Sequence, residues 1–253
     1  MPRFFIKNDD VGNNNIVTVC GDDARHITCS LRMKPGDSVT LCDELHIEYE
    51  CRVNTATAES VVLSVYERHE ARSEPSIKVS VYQGMPKGQK FELIIQKCVE
   101  LGAYEIVPVI SSRCISRPDE KSSPNKLKRW NTIAKEAAMQ SGRGIIPTVR
   151  ENVLFKNAIA EMKAADMAFM CYEDAESLEN STDLKSCIEQ IGAENIKTAA
   201  LFVGPEGGIA RDEAEYAKSC GIIPITLGKR ILRTETAPMC ALSCIMYATE
   251  NLK

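Results

Sequence analysis

The amino-acid sequence predicts an α/β protein with a small N-terminal β-domain over residues 1–72 and a larger domain over residues 73–253. Two patterns carry this prediction. Before residue 72, apolar and polar side chains alternate at period two, which is typical of strands with one buried face. After residue 76, short apolar runs alternate with amphipathic helical segments, which predicts a mainly parallel sheet with helices on both faces.

The N-terminal domain begins with an apolar strand over residues 3–6, followed by a short helix for which Asp22 is the predicted cap. A turn with proline, glycine and aspartate comes at residues 35–37. Alternating stretches between residues 39 and 65 then predict several short strands, and such strands separated by turns favour a small barrel. The polar segment 67–76 is the predicted linker to the second domain.

The larger domain combines predicted strands and helices in alternation. The predicted strands cover residues 77–83, 106–110, 166–172, 199–203 and 222–227. The run at 199–203 has no polar alternation, as expected of a strand that is buried on both faces of a parallel sheet. The amphipathic helices cover residues 91–101, 127–137, 184–191, 211–220 and 237–250. Trp130 lies on the apolar face of the second helix, and we expect it to pack in the core.

Two glycine-containing turns, each directly after a predicted strand, predict the ligand site. The first is Gly-Pro-Glu-Gly-Gly at residues 204–208, and the second begins at Gly228 and extends to residue 236. Because open α/β sheets bind ligands at the carboxyl ends of their strands, we expect the two turns to form one pocket. Neither turn has the glycine spacing of a dinucleotide fold or the Gly-Lys-Ser/Thr of a P-loop.

The pair of turns resembles the cofactor loops of the SPOUT class of S-adenosylmethionine-dependent RNA methyltransferases. GKRILRTETAP resembles the RsmE family in particular, which methylates N3 of a uridine in small-subunit ribosomal RNA. PKGQKFELIIQKCVELG, VPVISSRC and AMQSGR resemble RsmE segments too, so the resemblance covers nearly the whole chain. The first domain resembles the PUA-like RNA-binding domain of that family, although the family usually has glycines where this chain has residues 42–46.

The resemblance implies S-adenosyl-L-methionine as cofactor, 16S rRNA as substrate (within a small-subunit particle), a homodimer and a deep trefoil knot. The glycines of the turns and apolar Leu227, Ile231 and Leu232 suit an adenine slot, with Tyr172 as a further wall. The complete set of predicted cofactor contacts is Tyr172, Gly204, Pro205, Glu206, Gly207, Leu227, Gly228, Ile231, Leu232, Arg233, Thr236 and Ala237.

Two residues are predicted to take part in the chemistry. Arg233 would stabilise negative charge that develops on the uracil carbonyls. Glu235, or alternatively Glu206, would accept the N3 proton if burial raised its pKa. Glu235 equally suits a cap on the N-terminus of the following helix, and the sequence does not separate these two roles.

The charge distribution favours a local RNA-binding surface. The chain has a net charge of −4, but residues 73–150 hold 13 Lys and Arg against 7 Asp and Glu. Phosphate contact requires a local basic field and not a basic whole chain. The predicted RNA contacts are Arg3, Arg32, Lys87, Arg113 and Arg143. For Arg143 and Arg113 the alternative is an ion pair with a neighbouring acid.

Composition excludes several other classes. Eleven cysteines, an odd number without a Cys-x-x-Cys pair, indicate neither a disulfide framework nor a zinc ribbon, and we expect no metal. We also expect no membrane segment and a cytoplasmic location. Two other functions stay open, namely a SPOUT enzyme acting on another RNA, such as a tRNA ribose 2′-hydroxyl, and a non-catalytic RNA-binding assembly factor.

Overall fold

The computed structural model describes residues 1–12, 14–116, 123–175, 178, 182–193 and 196–252. Its contacts divide the chain into two compact units. The first unit is Met1–Glu74 with Ala138–Ile146, and the second is Pro75–Ala137 with Pro147–Lys253. The segment Ala138–Ile146 thus belongs to the first unit although it lies within the second part of the sequence, and no local pattern indicates this. None of the described helices is long and apolar enough to cross a lipid bilayer.

The first unit is built on one five-stranded sheet. Its strands are β1 (Arg3–Phe5), β2 (Ile16–Cys20), β3 (Ser38–Cys42), β4 (Ile47–Ala56) and β5 (Ser60–Glu70). They lie in the order β1-β3-β4-β5-β2, with β1 parallel to β3 and the other pairs antiparallel. The alternating residues face one core, in which Phe4, Leu41 and Leu63 are fully buried. Since β5 continues to Glu70, the predicted linker was wrong over residues 67–70.

The start of one helix and one hairpin turn of this unit differ from the expectation. Helix α1 (Gly21–Arg25) begins after Cys20 and has no side-chain cap, so the predicted cap by Asp22 was wrong. The turn that lacks the family's glycines is held by Asp43, which is 2% exposed. Its carboxylate accepts the backbone N–H groups of Leu45 and Ile47 and the Tyr49 hydroxyl, each at 2.9 Å. A buried aspartate therefore fixes this hairpin through its own hydrogen bonds.

The second unit is a parallel sheet with helices. Its strands are β6 (Lys78–Gly84), β7 (Glu105–Ile110), β8 (Thr148–Val149), β9 (Val153–Leu154), β10 (Met167–Cys171), β11 (Thr182–Asp183), β12 (Thr198–Val203) and β13 (Ile223–Thr226). Its helices are α2 (Lys90–Glu100), α3 (Ser123–Ser141), α4 (Phe155–Met162), α5 (Leu184–Ala193), α6 (Arg211–Ser219) and α7 (Thr236–Ala248). The last residues of α3 belong to the first unit.

The strand order places the two predicted turns beside each other. The order is β11-β13-β10-β12-β6-β7-β8, with β9 also paired to β7, and every pair is parallel. Cys171 at the end of β10 is in register with Val203 of β12 on one side and with Ile225 of β13 on the other. The turns after β12 and β13 therefore leave the same edge of the sheet, separated by one strand.

The prediction that Trp130 packs in the core is confirmed. Trp130 is 7% exposed and packs edge-on against Phe91 of α2, with 4.7 Å between the ring centroids. Phe202 of β12 is fully buried and makes a similar edge contact with Phe155 of α4 at 5.4 Å. Pro238 stands in the first turn of α7, where its missing N–H costs no helical hydrogen bond.

Candidate active site

A cavity of about 940 Å³ opens at the carboxyl ends of β10, β12 and β13. It is lined by three chain segments that follow these strands, over residues 171–174, 203–209 and 225–237, together with Lys90 from the start of α2. This volume falls in the range of roughly 300–1,000 Å³ that is usual for small-molecule sites. The expectation that the two turns share one pocket is therefore met by the geometry.

Most of the predicted cofactor contacts lie on this cavity. The lining residues among them are Tyr172, Gly204, Pro205, Glu206, Leu227, Gly228, Ile231, Leu232, Arg233 and Ala237, and Glu235 lines it as well. Gly207 and Thr236 do not. Gly207 instead packs against Arg113, whose Nη1 donates to the Gly207 carbonyl at 2.9 Å. Ile231 is 83% exposed, so its side chain does not form the closed apolar wall that we expected from the sequence.

Two glycines of the turns adopt conformations that other residues rarely reach. Gly208 has φ +69° and Gly228 has φ +98°, both in the left-handed region. A Cβ atom on Gly208 would also lie 2.7 Å from the Glu173 Oε1, which faces the same cavity. Position 208 therefore favours glycine for its backbone conformation, and a larger residue there would also displace the Glu173 carboxylate.

A buried polar network joins the two turns, and the sequence did not indicate it. The Thr234 hydroxyl, in the second turn, donates to the Gly204 carbonyl of the first turn at 2.7 Å. Gln83, at the end of β6 and 0% exposed, donates from its Nε2 to the Thr234 Oγ1 at 2.9 Å and to the Gly204 carbonyl at 3.3 Å. Because these groups are buried, each hydrogen bond restricts how the turns can move apart.

A second polar group on the cavity consists of one lysine between two carboxylates. The Lys90 Nζ lies 3.0 Å from the Glu206 Oε1 and 3.6 Å from the Glu235 Oε2. Burial by itself raises the pKa of Glu206, but the hydrogen bonds from Lys90 and from the backbone N–H groups of Glu206 and Lys87 outweigh it and lower the pKa. The condition under which Glu206 would accept the proton, a pKa raised by burial, is therefore not met.

Glu235 occupies the position before α7, but its carboxylate does not cap the helix. No side-chain capping hydrogen bond is present, so that alternative is wrong. Its Oε2 is buried and has no hydrogen-bond partner among the described residues. Buried carboxylate oxygens are nearly always satisfied, so an orphan oxygen on a cavity wall indicates a ligand donor.

Arg233 is exposed and lines the cavity. Within the described part of the chain, its guanidinium makes no hydrogen bond or ion pair, and this leaves its donors open to a ligand. Lys229 and Arg230 of the same turn are exposed at the cavity as well. The turn thus presents three cations, of which sequence reasoning selected one.

The residues present fit an adenosyl methyl donor. Tyr172 and the strand ends supply buried apolar walls, and burial raises the pKa of the Tyr172 phenol, which keeps it neutral. Over residues 229–233 the backbone N–H groups donate no hydrogen bond to any described residue. Free backbone donors beside apolar walls are what an adenine ring and its polar edge require. The cavity also carries the Glu235 Oε2, which accepts no hydrogen bond from the described residues.

The predicted RNA contacts fall into two groups. Arg143 is 3% exposed, and its Nε and Nη2 bind the Glu74 carboxylate at 2.9 and 2.6 Å. Arg3 similarly lies 2.7 Å from the Glu48 carboxylate. Both arginines thus have ion pairs in the first unit. For buried Arg143 this corrects the predicted phosphate contact, whereas for partly exposed Arg3 the phosphate contact stays a prediction. Arg32, Lys87 and Arg113 are exposed, and for them the phosphate contact stays a prediction.

The expected absence of a metal also stays a prediction. In the first unit, Glu48, Glu50 and His69 bring potential ligand atoms within 4.8 Å of one another. The carboxylate of Glu48 is already bound by Arg3, and the Glu50 carboxylate accepts the Thr40 hydroxyl at 3.2 Å. The group is therefore accounted for by protein contacts.

Comparisons with known proteins cover both units. The model of the RNA methyltransferase domain matches residues 72–246, and the model of the RNA methyltransferase PUA domain matches residues 19–66. The ribosomal RNA small subunit methyltransferase E of Bacillus subtilis is 34% identical over 257 residues, which is 100% of this chain and 99% of that protein. Its counterpart in Mycobacterium bovis is 30% identical over 242 residues, which is 93% of this chain and 88% of that protein.

A solved structure is similar over the full length. The ribosomal RNA small subunit methyltransferase E of Neisseria gonorrhoeae, bound to S-adenosylmethionine, superposes with a TM-score of 0.84 at 29% identity, covering 98% of this chain and 97% of that one. These matches agree with the family that the two turns resemble.

Proposed function

We propose, since this chain belongs to the ribosomal RNA small subunit methyltransferase E family of RNA methyltransferases, that it transfers the methyl group of S-adenosylmethionine to N3 of a uridine in 16S rRNA. One observation carries the proposal. The two turns form one cavity, held together by the hydrogen bond between the Thr234 hydroxyl and the Gly204 carbonyl, and this cavity has the size and lining that a nucleoside-like methyl donor needs.

S-adenosylmethionine supplies a methyl group already activated on a sulfonium, so the protein has to bind, align and manage charge. Tyr172 and Leu227 line the cavity and offer apolar surface against which the adenosyl group can pack. The open Arg233 guanidinium stabilises the negative charge that develops on the uracil carbonyls when N3 loses its proton. The Glu235 Oε2, which accepts no hydrogen bond from the described residues, is available to accept that proton.

Substrate RNA is the proposed partner of both units. The match of the PUA model to residues 19–66 supports the first unit as an RNA-binding module, to which Arg32 contributes an exposed charge. In the second unit, exposed Lys87 and Arg113 flank the first turn, where they can contact backbone phosphates. The particle that presents the RNA is the small ribosomal subunit, which gives the protein a place in ribosome biogenesis in the cytoplasm.

A homodimer and a trefoil knot belong to the same proposal. Helix α7 is apolar around much of its circumference, because Leu242 and Ile245 are buried while Tyr247 is 75% exposed. An exposed aromatic residue on an apolar helix supports association with a second copy of the chain. The knot would pass the segment after β13 through the loop that precedes it, and this would fix the second turn against the first.

A methylation assay tests the proposal. The purified chain is incubated with methyl-labelled S-adenosylmethionine and with either 16S rRNA or small-subunit particles, and the labelled nucleoside is identified by mass spectrometry. We expect 3-methyluridine, and we expect Arg233→Ala to abolish it while the fold is kept. Arg129→Ala is the matched control, since that arginine is 60% exposed on α3. Label on a ribose hydroxyl, or cofactor binding without transfer to any RNA, would overturn the proposal.

A further inference from the structure

Lys90 links the two turns of the cavity electrostatically. It is the first residue of α2, and its ammonium lies 3.0 Å from Glu206 in the first turn and 3.6 Å from Glu235 in the second. The Lys90 side chain is 35% exposed and that of Glu235 is 16% exposed, so solvent screens the pair only in part. A single cation thus serves two carboxylates that come from different loops.

The two carboxylates are not equivalent. Glu206 is hydrogen-bonded by Lys90 and also accepts the Lys87 backbone N–H at 3.1 and 3.3 Å. The Glu235 Oε2 forms an ion pair with Lys90 at 3.6 Å, which is longer than a hydrogen bond, and this buried oxygen has no hydrogen-bond donor among the described residues. Glu206 is therefore a satisfied anion, whereas Glu235 keeps an acceptor lone pair on the cavity wall.

We propose, as a refinement that rests on the proposed function, that Lys90 is a positioning residue: it orients Glu235 so that this carboxylate takes the N3 proton of the target uracil. In the transfer, the N3–H bond breaks and its proton moves to the Glu235 carboxylate. The electron pair left on N3 forms the new N–CH3 bond, the carbon–sulfur bond of the donor breaks, and its electrons remain on sulfur as a neutral thioether.

Because Lys90 is shared with Glu206, its positive charge stays compensated during the proton transfer. When Glu235 becomes neutral, Lys90 still has Glu206 at 3.0 Å, so no uncompensated ammonium is left at the cavity. A lysine paired only with Glu235 would resist protonation of its single partner. The other charged groups that line the cavity are Glu173, Asp174, Lys229, Arg230 and Arg233.

Lys90→Met tests the proposal in the full-length protein, with kcat measured at saturating substrates and cofactor affinity measured by calorimetry. Loss of the positioning contact should lower kcat by on the order of 10²-fold, the cost of misplacing a reacting group by about 1 Å. Cofactor affinity should stay near the wild-type value, because Lys90 orients the proton acceptor. Lys90→Arg should restore most of kcat.

Lys97→Met is the matched control, because Lys97 lies on the same helix and pairs with Glu100 at 2.9 Å outside the cavity. It should leave kcat unchanged. Glu206→Gln leaves Lys90 with Glu235 as its single partner and removes the charge balance, so kcat should fall in this variant too. This variant keeps the proposal testable even if Lys90→Met folds poorly.

Two results would overturn the proposal. One is a kcat that stays at the wild-type value in both Lys90→Met and Glu206→Gln. The other is a loss in Lys90→Met that appears only as weaker cofactor binding with kcat unchanged. Both results count against the proposal only if the wild-type enzyme forms 3-methyluridine. If the wild type forms no 3-methyluridine, the proposed function fails instead, and the two failures are thereby distinguished.

Discussion

Replacing Thr234 by valine would remove the hydrogen bonds between the two turns at nearly constant volume. The side chain is 7% exposed, and its hydroxyl both donates to the Gly204 carbonyl at 2.7 Å and accepts the Gln83 amide at 2.9 Å. Each net hydrogen bond contributes about 1 kcal/mol, and the buried amide loses one acceptor. We therefore expect Thr234→Val to destabilise the closed arrangement of the turns by about 2 kcal/mol.

This loss should be visible in two measurements. Two kcal/mol corresponds to about a 30-fold weaker affinity for S-adenosylmethionine in isothermal calorimetry, if the cofactor binds only the closed turns. If the loss falls on global stability, the thermal midpoint should drop by about 4–8 °C, from 2–4 °C per kcal/mol for a domain of this size. The free energy lost from cofactor binding and the free energy lost from global stability should together amount to about 2 kcal/mol.

Thr132→Val is the matched control. The Thr132 hydroxyl also donates to a carbonyl, that of Lys128 at 3.0 Å, but it is exposed on α3. We expect this variant to change stability by less than about 0.5 kcal/mol. If Thr234→Val kept wild-type cofactor affinity and wild-type melting, the polar network would not hold the turns together.

Two further predictions concern the corrected arginine and the constrained glycine. Arg143→Ala should destabilise the protein by about 3–5 kcal/mol in denaturant unfolding, because Glu74 loses its buried partner; a stable variant with much weaker RNA binding would instead restore Arg143 as a phosphate contact. Gly208→Ala should weaken cofactor affinity, because the added Cβ, 2.7 Å from the Glu173 Oε1, would displace this carboxylate within the cavity. Gly221→Ala, with φ +91° and open space around the Cβ, is its control, and equal affinity losses in both variants would contradict the steric argument.

The sequence predicted the strands that carry the site because these strands are continuous apolar runs, and glycine follows closely after β12 and β13. It could not predict β8, β9 or β11, which have two residues each and leave no periodic signal. Helix α4 was missed although its signal was present: Phe155, Ala158, Ile159 and Met162 have helical spacing, and all are buried.

The site residues that lie far from the two turns in the sequence were the hardest to predict. Gln83 and Lys90 are distant in sequence from both turns, and they reach them because β6 pairs with β12. That pairing is a property of sheet order, which no local pattern encodes. Gln83 did carry a weak signal, as a polar residue that ends an otherwise apolar strand. Arg143 was misassigned for the same reason, since its partner Glu74 lies 69 residues away.

The pairing of two turns around a methyl donor is tested most directly by the modification that the protein leaves in the cell. Nucleosides from small-subunit ribosomal RNA are compared by mass spectrometry between a strain that lacks this chain and the same strain with the chain restored. We predict that 3-methyluridine disappears on deletion and returns with the wild type but not with Arg233→Ala. A nucleoside profile that is identical in the presence and absence of the chain would contradict the account.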